Sequence, residues 1–121
     1  MTFIALVAGG GLGSLARYLV TLAFRGRGGL PWAVFTVNVV ASALGGTIIG
    51  LFVAGHVSSD LRLILVTGVA GGLSTFSTWS VETVQLYLEG KWRKAGANVI
   101  LNLVVGLAAA TAGYLITTLI A

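Results

Sequence analysis

Four long runs of apolar residues occupy almost the whole sequence, and they constrain the fold more than any other feature. The runs cover about residues 2–24, 31–54, 61–88 and 95–120. A helix that crosses about 30 Å of hydrocarbon needs roughly 20 apolar residues. Each run therefore predicts one transmembrane helix, and together they fill a single membrane domain, residues 1–121, of an all-α membrane protein.

The composition excludes several classes of protein. Only 8% of the residues are charged, which is too few to cover the surface of a soluble domain. The chain has no cysteine, so disulfides, thiolate metal sites and cysteine nucleophiles are excluded. The basic residues behind the net charge of +4 mostly flank the apolar runs, where they indicate membrane topology rather than nucleic-acid binding. The sequence predicts a multi-pass protein of the cell (plasma) membrane.

The third run contains a segment that is poorly suited to a membrane helix. Residues 71–79 read GGLSTFSTW, with two glycines and four hydroxyl residues. Unwound backbone at membrane depth is tolerated only where it is buried in protein or lines a cavity. Freed carbonyls can bind a dehydrated cation, and the positive edges of aromatic rings suit an anion. The segment predicts a broken third helix that holds a cation and flanks an anion path.

Small residues recur at every fourth position of each run, a pattern typical of close helix packing in membranes. The pairs are Gly9 and Gly13, Gly46 and Gly50, Gly68 and Gly72, and Ala109 and Gly113.

Two charged residues, Arg17 and Glu82, lie well inside the predicted helices. A charge at the depth of Arg17 costs about 2.5–3.5 kcal/mol on insertion scales unless it is satisfied. Arg17 either extends toward the loop that carries Arg25 and Arg27, or it faces a water-filled vestibule. Glu82 either pairs with Arg17 or faces water. Both alternatives stay open for each residue.

Polar residues also form two helical stripes. Asn38 and Ser42 share one face of the second helix, and Asn98, Asn102 and Gly106 repeat the spacing on the fourth. Each stripe is either a polar bridge between helices or part of a polar track. The intramembrane polar residues all lie toward the first and third loops, so one subunit would carry a path through half the membrane. A second, inverted copy would supply the other half. No carboxylate pair, metal cluster or activated nucleophile is present, so we do not expect an enzyme.

The chain resembles the Fluc/CrcB family of fluoride channels over its whole length. The resemblance rests on GGGLGSLARY in the first helix, TVNVVAS in the second and GGLSTFSTWSVE in the third. It implies a subunit of four transmembrane helices with a broken third helix, an antiparallel (inverted-topology) dimer, two fluoride pores and a structural sodium ion at the dimer centre.

The resemblance also implies roles for individual residues. Asn38 would line the pore, the ring edge of Phe76 would meet fluoride, and Glu82 would face the vestibule. Main-chain oxygens of Gly71 and Ser74 would bind the sodium, while Thr75, Ser77 and Thr78 would support the break. The chain departs from the family at Trp79, where phenylalanine is usual, and at Asn98 and Asn102, where tyrosine and serine are expected. Tryptophan still offers a ring edge and an N–H donor. The implied pore residues are Arg17, Asn38, Phe76, Ser77, Thr78, Trp79, Glu82, Asn98 and Asn102.

The predicted function is passive, fluoride-selective export from the cytoplasm through pores at the dimer interface. One alternative is a non-conducting or specialised subunit of a heterodimeric fluoride channel. Another is a small proton-coupled multidrug exporter, which would need a carboxylate deep in the first helix, where this chain has none.

Basic residues are unevenly distributed between the two sides of the membrane. The first and third loops carry Arg25, Arg27, Lys91, Arg93 and Lys94, and the opposite side carries Arg62 alone. Basic loops stay in the cytoplasm, which places both termini outside. The partner is therefore either a second, oppositely biased homologue or the same chain inserted with dual topology, and both remain open.

Overall fold

The computed structural model describes residues 1–121, which are helical apart from short connections and contain no strand. The helices, in chain order, are α1 (Thr2–Ala23), α2 (Trp32–Val53), α3 (Ser59–Arg62), a π-helical segment (Leu63–Ala70), α4 (Gly71–Leu73), α5 (Phe76–Leu88) and α6 (Trp92–Ile120).

Four stretches of this chain are long and apolar enough to cross a membrane. They are Thr2–Ala23, Trp32–Val53, Ser59–Leu88 and Trp92–Ile120. The four-helix membrane fold is therefore confirmed, as is the broken third span. The last helix begins at Trp92, earlier than the predicted residue 95, because the chain reverses in a tight turn at Gly90, whose φ is 79°.

The outer surface suits a lipid environment. Large apolar side chains such as Phe3, Leu12, Leu107 and Leu119 are all more than half exposed. Soluble monomers rarely expose contiguous apolar patches of more than a few hundred Å². These helices therefore present their apolar side chains to hydrocarbon.

The first and third spans pack through glycine. A Cβ added at Gly13 would overlap the backbone of Val69, and one added at Gly72 would overlap the backbone of Gly10. The two backbones approach too closely for any side chain between them. This confirms that these glycines pack the helices closely, as predicted. Such close packing is a main source of helix association in lipid.

The second and fourth spans pack in the same manner. A Cβ at Gly46 would overlap the backbone of Ala110, and one at Gly113 would lie 2.7 Å from the carbonyl oxygen of Ala43. The residue of α6 that meets Gly46 is thus Ala110, one position after the predicted Ala109.

The break in the third span is short. Only Ser74 (φ −73°, ψ 158°) and Thr75 (φ −149°, ψ 115°) are extended, and α5 begins at Phe76. Most of the GGLSTFSTW segment is therefore helical. The π-helical turn that precedes α4 was not predicted from sequence; such turns are often found at functional sites.

Candidate functional site at the break in the third span

The side chain of Asn38, on the neighbouring helix α2, stabilises the extended backbone at the break. The main-chain N–H of Thr75 donates to Asn38 Oδ1 at 2.8 Å, and Asn38 Nδ2 donates to the carbonyl oxygen of Thr75 at 3.3 Å. Buried main-chain groups need partners, and here one amide side chain satisfies both groups of an extended residue. The break is a stabilised feature of the fold.

The side chain of Thr75 restarts the helix. Its Oγ1 accepts a hydrogen bond from the N–H of Thr78 at 3.2 Å, which caps the amino terminus of α5. The same oxygen lies 3.1 Å from Thr78 Oγ1 and 3.3 Å from Ser77 Oγ. Ser77 and Thr78 thus lie against the break and bond to Thr75.

A chain of amides connects the break to α6. Asn38 Nδ2 donates to Asn102 Oδ1 at 3.2 Å, and Asn102 Nδ2 donates to Asn98 Oδ1 at 3.1 Å and to the Asn98 carbonyl oxygen at 2.8 Å. Asn98 is only 2% exposed, and its Nδ2 donates to Thr83 Oγ1 at 2.9 Å. The two predicted polar stripes therefore meet in one hydrogen-bonded network.

Two aromatic rings stand beside the break. The ring centroids of Phe76 and Trp79 are 5.5 Å apart, at an interplanar angle of 63°. The Trp79 indole N–H donates to the carbonyl oxygen of Asn98 at 3.2 Å, so it is not the free donor that the sequence suggested. Phe76 is 75% exposed, so its ring projects from the subunit.

A pocket of about 220 Å³ lies between the break, α2 and α6. Its lining residues are Asn38, Ser42, Ser74, Thr75, Phe76, Trp79, Asn102 and Leu103. We call this space the break pocket. It brings together six of the residues that were assigned roles from sequence, namely Asn38, Ser74, Thr75, Phe76, Trp79 and Asn102. The others, Arg17, Gly71, Ser77, Thr78, Glu82 and Asn98, lie outside its lining.

Arg17 does not extend toward the loop that carries Arg25 and Arg27, which was one of its two predicted positions. Its Nη1 donates to the carbonyl oxygen of Ser74 at 3.1 Å, from the side of the break that faces α1. A charged donor makes a stronger hydrogen bond than a neutral one, so Arg17 stabilises the extended backbone. The pairing of Arg17 with Glu82, one of two alternatives, does not occur.

Glu82 lies in a separate pocket of about 230 Å³ between α5 and the first loop. Arg25 and Arg27 line the same pocket. The Oε2 atom of Glu82 is buried and makes no hydrogen bond within the subunit. This places the carboxylate near the basic first loop and away from the break pocket.

The main chain at the break offers oxygen ligands. In a continuous helix the N–H of Thr75 would bond the carbonyl of Gly71, but here it donates to Asn38 instead. The Gly71 carbonyl is thereby released from that bond, while the Ser74 carbonyl has a lone pair beyond the one that Arg17 uses. Hard monovalent and divalent cations prefer such oxygens, and no cluster of three or more His, Cys, Asp or Glu residues offers another site. The donor set fits part of a sodium shell.

Comparison with known sequences decides the family. A family model described as "CrcB-like protein, Camphor Resistance (CrcB)" matches residues 4–114. The chain belongs to the CrcB family. This confirms the resemblance noted above.

Similar CrcB relatives carry the name "Fluoride-specific ion channel FluC". One, from Pyrococcus abyssi, is 40% identical over 116 residues, which cover 95% of this chain and 94% of the relative. Another, from Nitrobacter winogradskyi, is 42% identical over 123 residues and covers 98% of each chain. A third, from Phocaeicola vulgatus, is 38% identical and covers 82% of this chain and 84% of the relative.

Within this CrcB-family site, sequence reasoning missed Thr83. Its hydroxyl donates to the Trp79 carbonyl at 2.7 Å and accepts from Asn98, so it joins α5 to α6. Its spacing of four residues from Trp79 placed the two on one helix face, which was the available signal.

Proposed function

We propose that this protein is a fluoride-selective channel that passively exports fluoride across the plasma membrane. The observation that carries the proposal is the break pocket, which combines hydroxyls, amide-ordered backbone and two aromatic ring edges at membrane depth. No cationic side chain lines it, so an anion would pass without being trapped by a full charge. The names of the relatives support the same function and agree with a channel rather than an enzyme.

The physical demand on such a pore is the replacement of water. Fluoride is small and strongly hydrated, so a selective path has to offer donors at close range. The edges of Phe76 and Trp79 carry partial positive charge, and both rings line the break pocket. Larger anions such as chloride gain less from the same narrow set of donors.

We expect purified protein in liposomes to release fluoride rapidly, while chloride release stays at the level of protein-free liposomes. Fluoride and chloride electrodes measure the two fluxes on the same preparation. Equal rates for both ions, or no fluoride release, would contradict the proposal. Because this chain is the only protein present, rapid release also shows that one chain type suffices. Release only after an inverted homologue is added would identify a specialised subunit of a heterodimer.

The site becomes complete with a second, inverted copy. The Phe76 ring projects from the subunit beside the break, and the break pocket is open on that side. An antiparallel partner would cover this ring and continue the polar path through the other half of the bilayer. The partner is the same chain or an oppositely biased homologue, as the loop charges allow both.

The antiparallel pair would place two breaks face to face. Carbonyls of Gly71 and Ser74 from each subunit would then supply four oxygens for a structural sodium ion. We expect a structure determined in sodium to contain one ion on the two-fold axis, and Ser74→Ala to retain it because the carbonyl stays. A parallel pair would count against the antiparallel arrangement, and with it against the four-oxygen site. An empty centre at high resolution would count against the sodium ion. If the Ser74→Ala protein lacked the ion, the sodium ligand would be the Ser74 hydroxyl rather than its carbonyl.

A further inference from the structure

The side-chain N–H donors around the break pocket are already committed to protein acceptors. Asn38 uses both amide hydrogens, on Thr75 and Asn102. Asn102 uses both of its own on the main-chain and side-chain oxygens of Asn98. The Trp79 N–H is also bonded to Asn98. An anion in the pocket would therefore be met by hydroxyl groups, ring edges and the main-chain N–H groups that open α5, and not by these side-chain amides.

The hydroxyl of Ser42 makes no hydrogen bond to its own helix, unlike several other hydroxyls of the bundle. Thr21, Ser80 and Thr83 each donate to the carbonyl four residues earlier, at 2.9, 2.8 and 2.7 Å. Ser42 makes no such bond to the main-chain carbonyl of Asn38, and the bonds from Asn38 to Thr75 and Asn102 are made by its side chain. The Ser42 hydroxyl is an unused donor, and it lines the break pocket.

Ser42 also lies where the break pocket meets a second space. A groove of about 450 Å³ between α2 and α6 begins at Ser42 and runs past Gly46 and Ala110 to Tyr114. These residues lie further along both helices, toward the membrane face opposite the basic loops. The residue of α6 that faces Ser42 is Gly106. Because glycine has no side chain, there is room beside the Ser42 hydroxyl.

We propose that the Ser42 hydroxyl donates a hydrogen bond to the permeating anion as it passes between the break pocket and the α2–α6 groove. The inference rests on the proposed channel function and adds a specificity-determining residue to it. A hydroxyl bonded to its own helix would have to give up that bond first, whereas Ser42 has none to give up. The proton can rotate to follow the ion, since a hydroxyl position is not fixed.

The test is fluoride release from liposomes that contain the Ser42→Ala variant. Loss of a hydrogen bond to a charged group predicts that release falls by roughly ten- to a hundredfold. Ser80→Ala is the matched control, because it removes a hydroxyl that is bonded to the Phe76 carbonyl, and we expect wild-type release from it. Both variants should elute from gel filtration as the wild type does.

A second substitution separates a donor role from a packing role. A Cβ added at Gly106 would lie 3.4 Å from Ser42 Oγ and meet nothing else within 4 Å. The double variant Ser42→Ala with Gly106→Ser therefore returns a hydroxyl to nearly the same place from the opposite helix, and we expect it to recover most of the release.

The outcomes distinguish this inference from the function on which it rests. Wild-type release from Ser42→Ala, or a loss that Gly106→Ser does not restore in a correctly assembled protein, overturns the role of Ser42 alone. A wild-type protein that releases no fluoride overturns the channel function and this inference with it.

Discussion

Replacing Asn38 with alanine should reduce fluoride release by about a hundredfold or more. The Asn38 side chain makes three hydrogen bonds, two of them to the main chain of Thr75. Each buried group left unpaired costs about 1–3 kcal/mol. The N–H of Thr75 can recover a partner by bonding the carbonyl of Gly71, which closes the break into continuous helix and moves Phe76 out of the pocket.

Release measured from liposomes checks this, with Gln85→Ala as the control. Gln85 carries the same amide group, but its side chain is exposed near the carboxyl end of α5, and we expect wild-type release from that variant. The Asn38→Ala protein should still assemble, because the glycine contacts between helices do not involve it. Wild-type release from an intact Asn38→Ala assembly would remove the residue from the permeation mechanism.

The membrane fold was predictable because it depends on properties that each residue carries alone. Length and hydropathy placed all four spans, and the glycine spacing indicated that the helices pack closely. The extent of the break was not predictable in the same way. Its end depends on the Thr75 cap and on Asn38, which lies 37 residues earlier in the chain. Without that partner, glycines and hydroxyl residues alone do not specify which two residues unwind.

The partners of the polar residues were the least predictable part of the site. The sequence offered two positions for Arg17, near the first loop or in a water-filled vestibule, and it did not indicate a protein partner. In the structure the Arg17 guanidinium donates to a main-chain carbonyl at the break. A carbonyl has no sequence signature, because every residue carries one. The same holds for Trp79, whose N–H bonds the main chain of Asn98 rather than facing an ion. Side-chain types predicted which residues gather at the site, and the unwound backbone determined how they pair.

The pairing of α2 with α6 includes an especially close approach of the two backbones at Gly46. At Gly46 the nearest atoms are main-chain atoms of Ala110, which cannot move without shifting the helix. The neighbouring Gly45 has nothing within 4 Å of the same added atom. A glycine-to-alanine substitution at either position changes helix propensity by the same amount. The two variants therefore differ only in whether the added methyl group meets the backbone of α6.

We expect Gly46→Ala to destabilise the protein by about 1–3 kcal/mol or more, as overpacking of a filled contact does. Gly45→Ala should leave stability unchanged, because its methyl group enters open space. The fraction of each variant that keeps its wild-type elution volume after heating in detergent measures the difference. Separating α2 from α6 would also pull Asn102 from Asn38, so fluoride release should fall with stability in Gly46→Ala. Equal heat resistance of the two variants would show that these helices are not held together by backbone contact at Gly46.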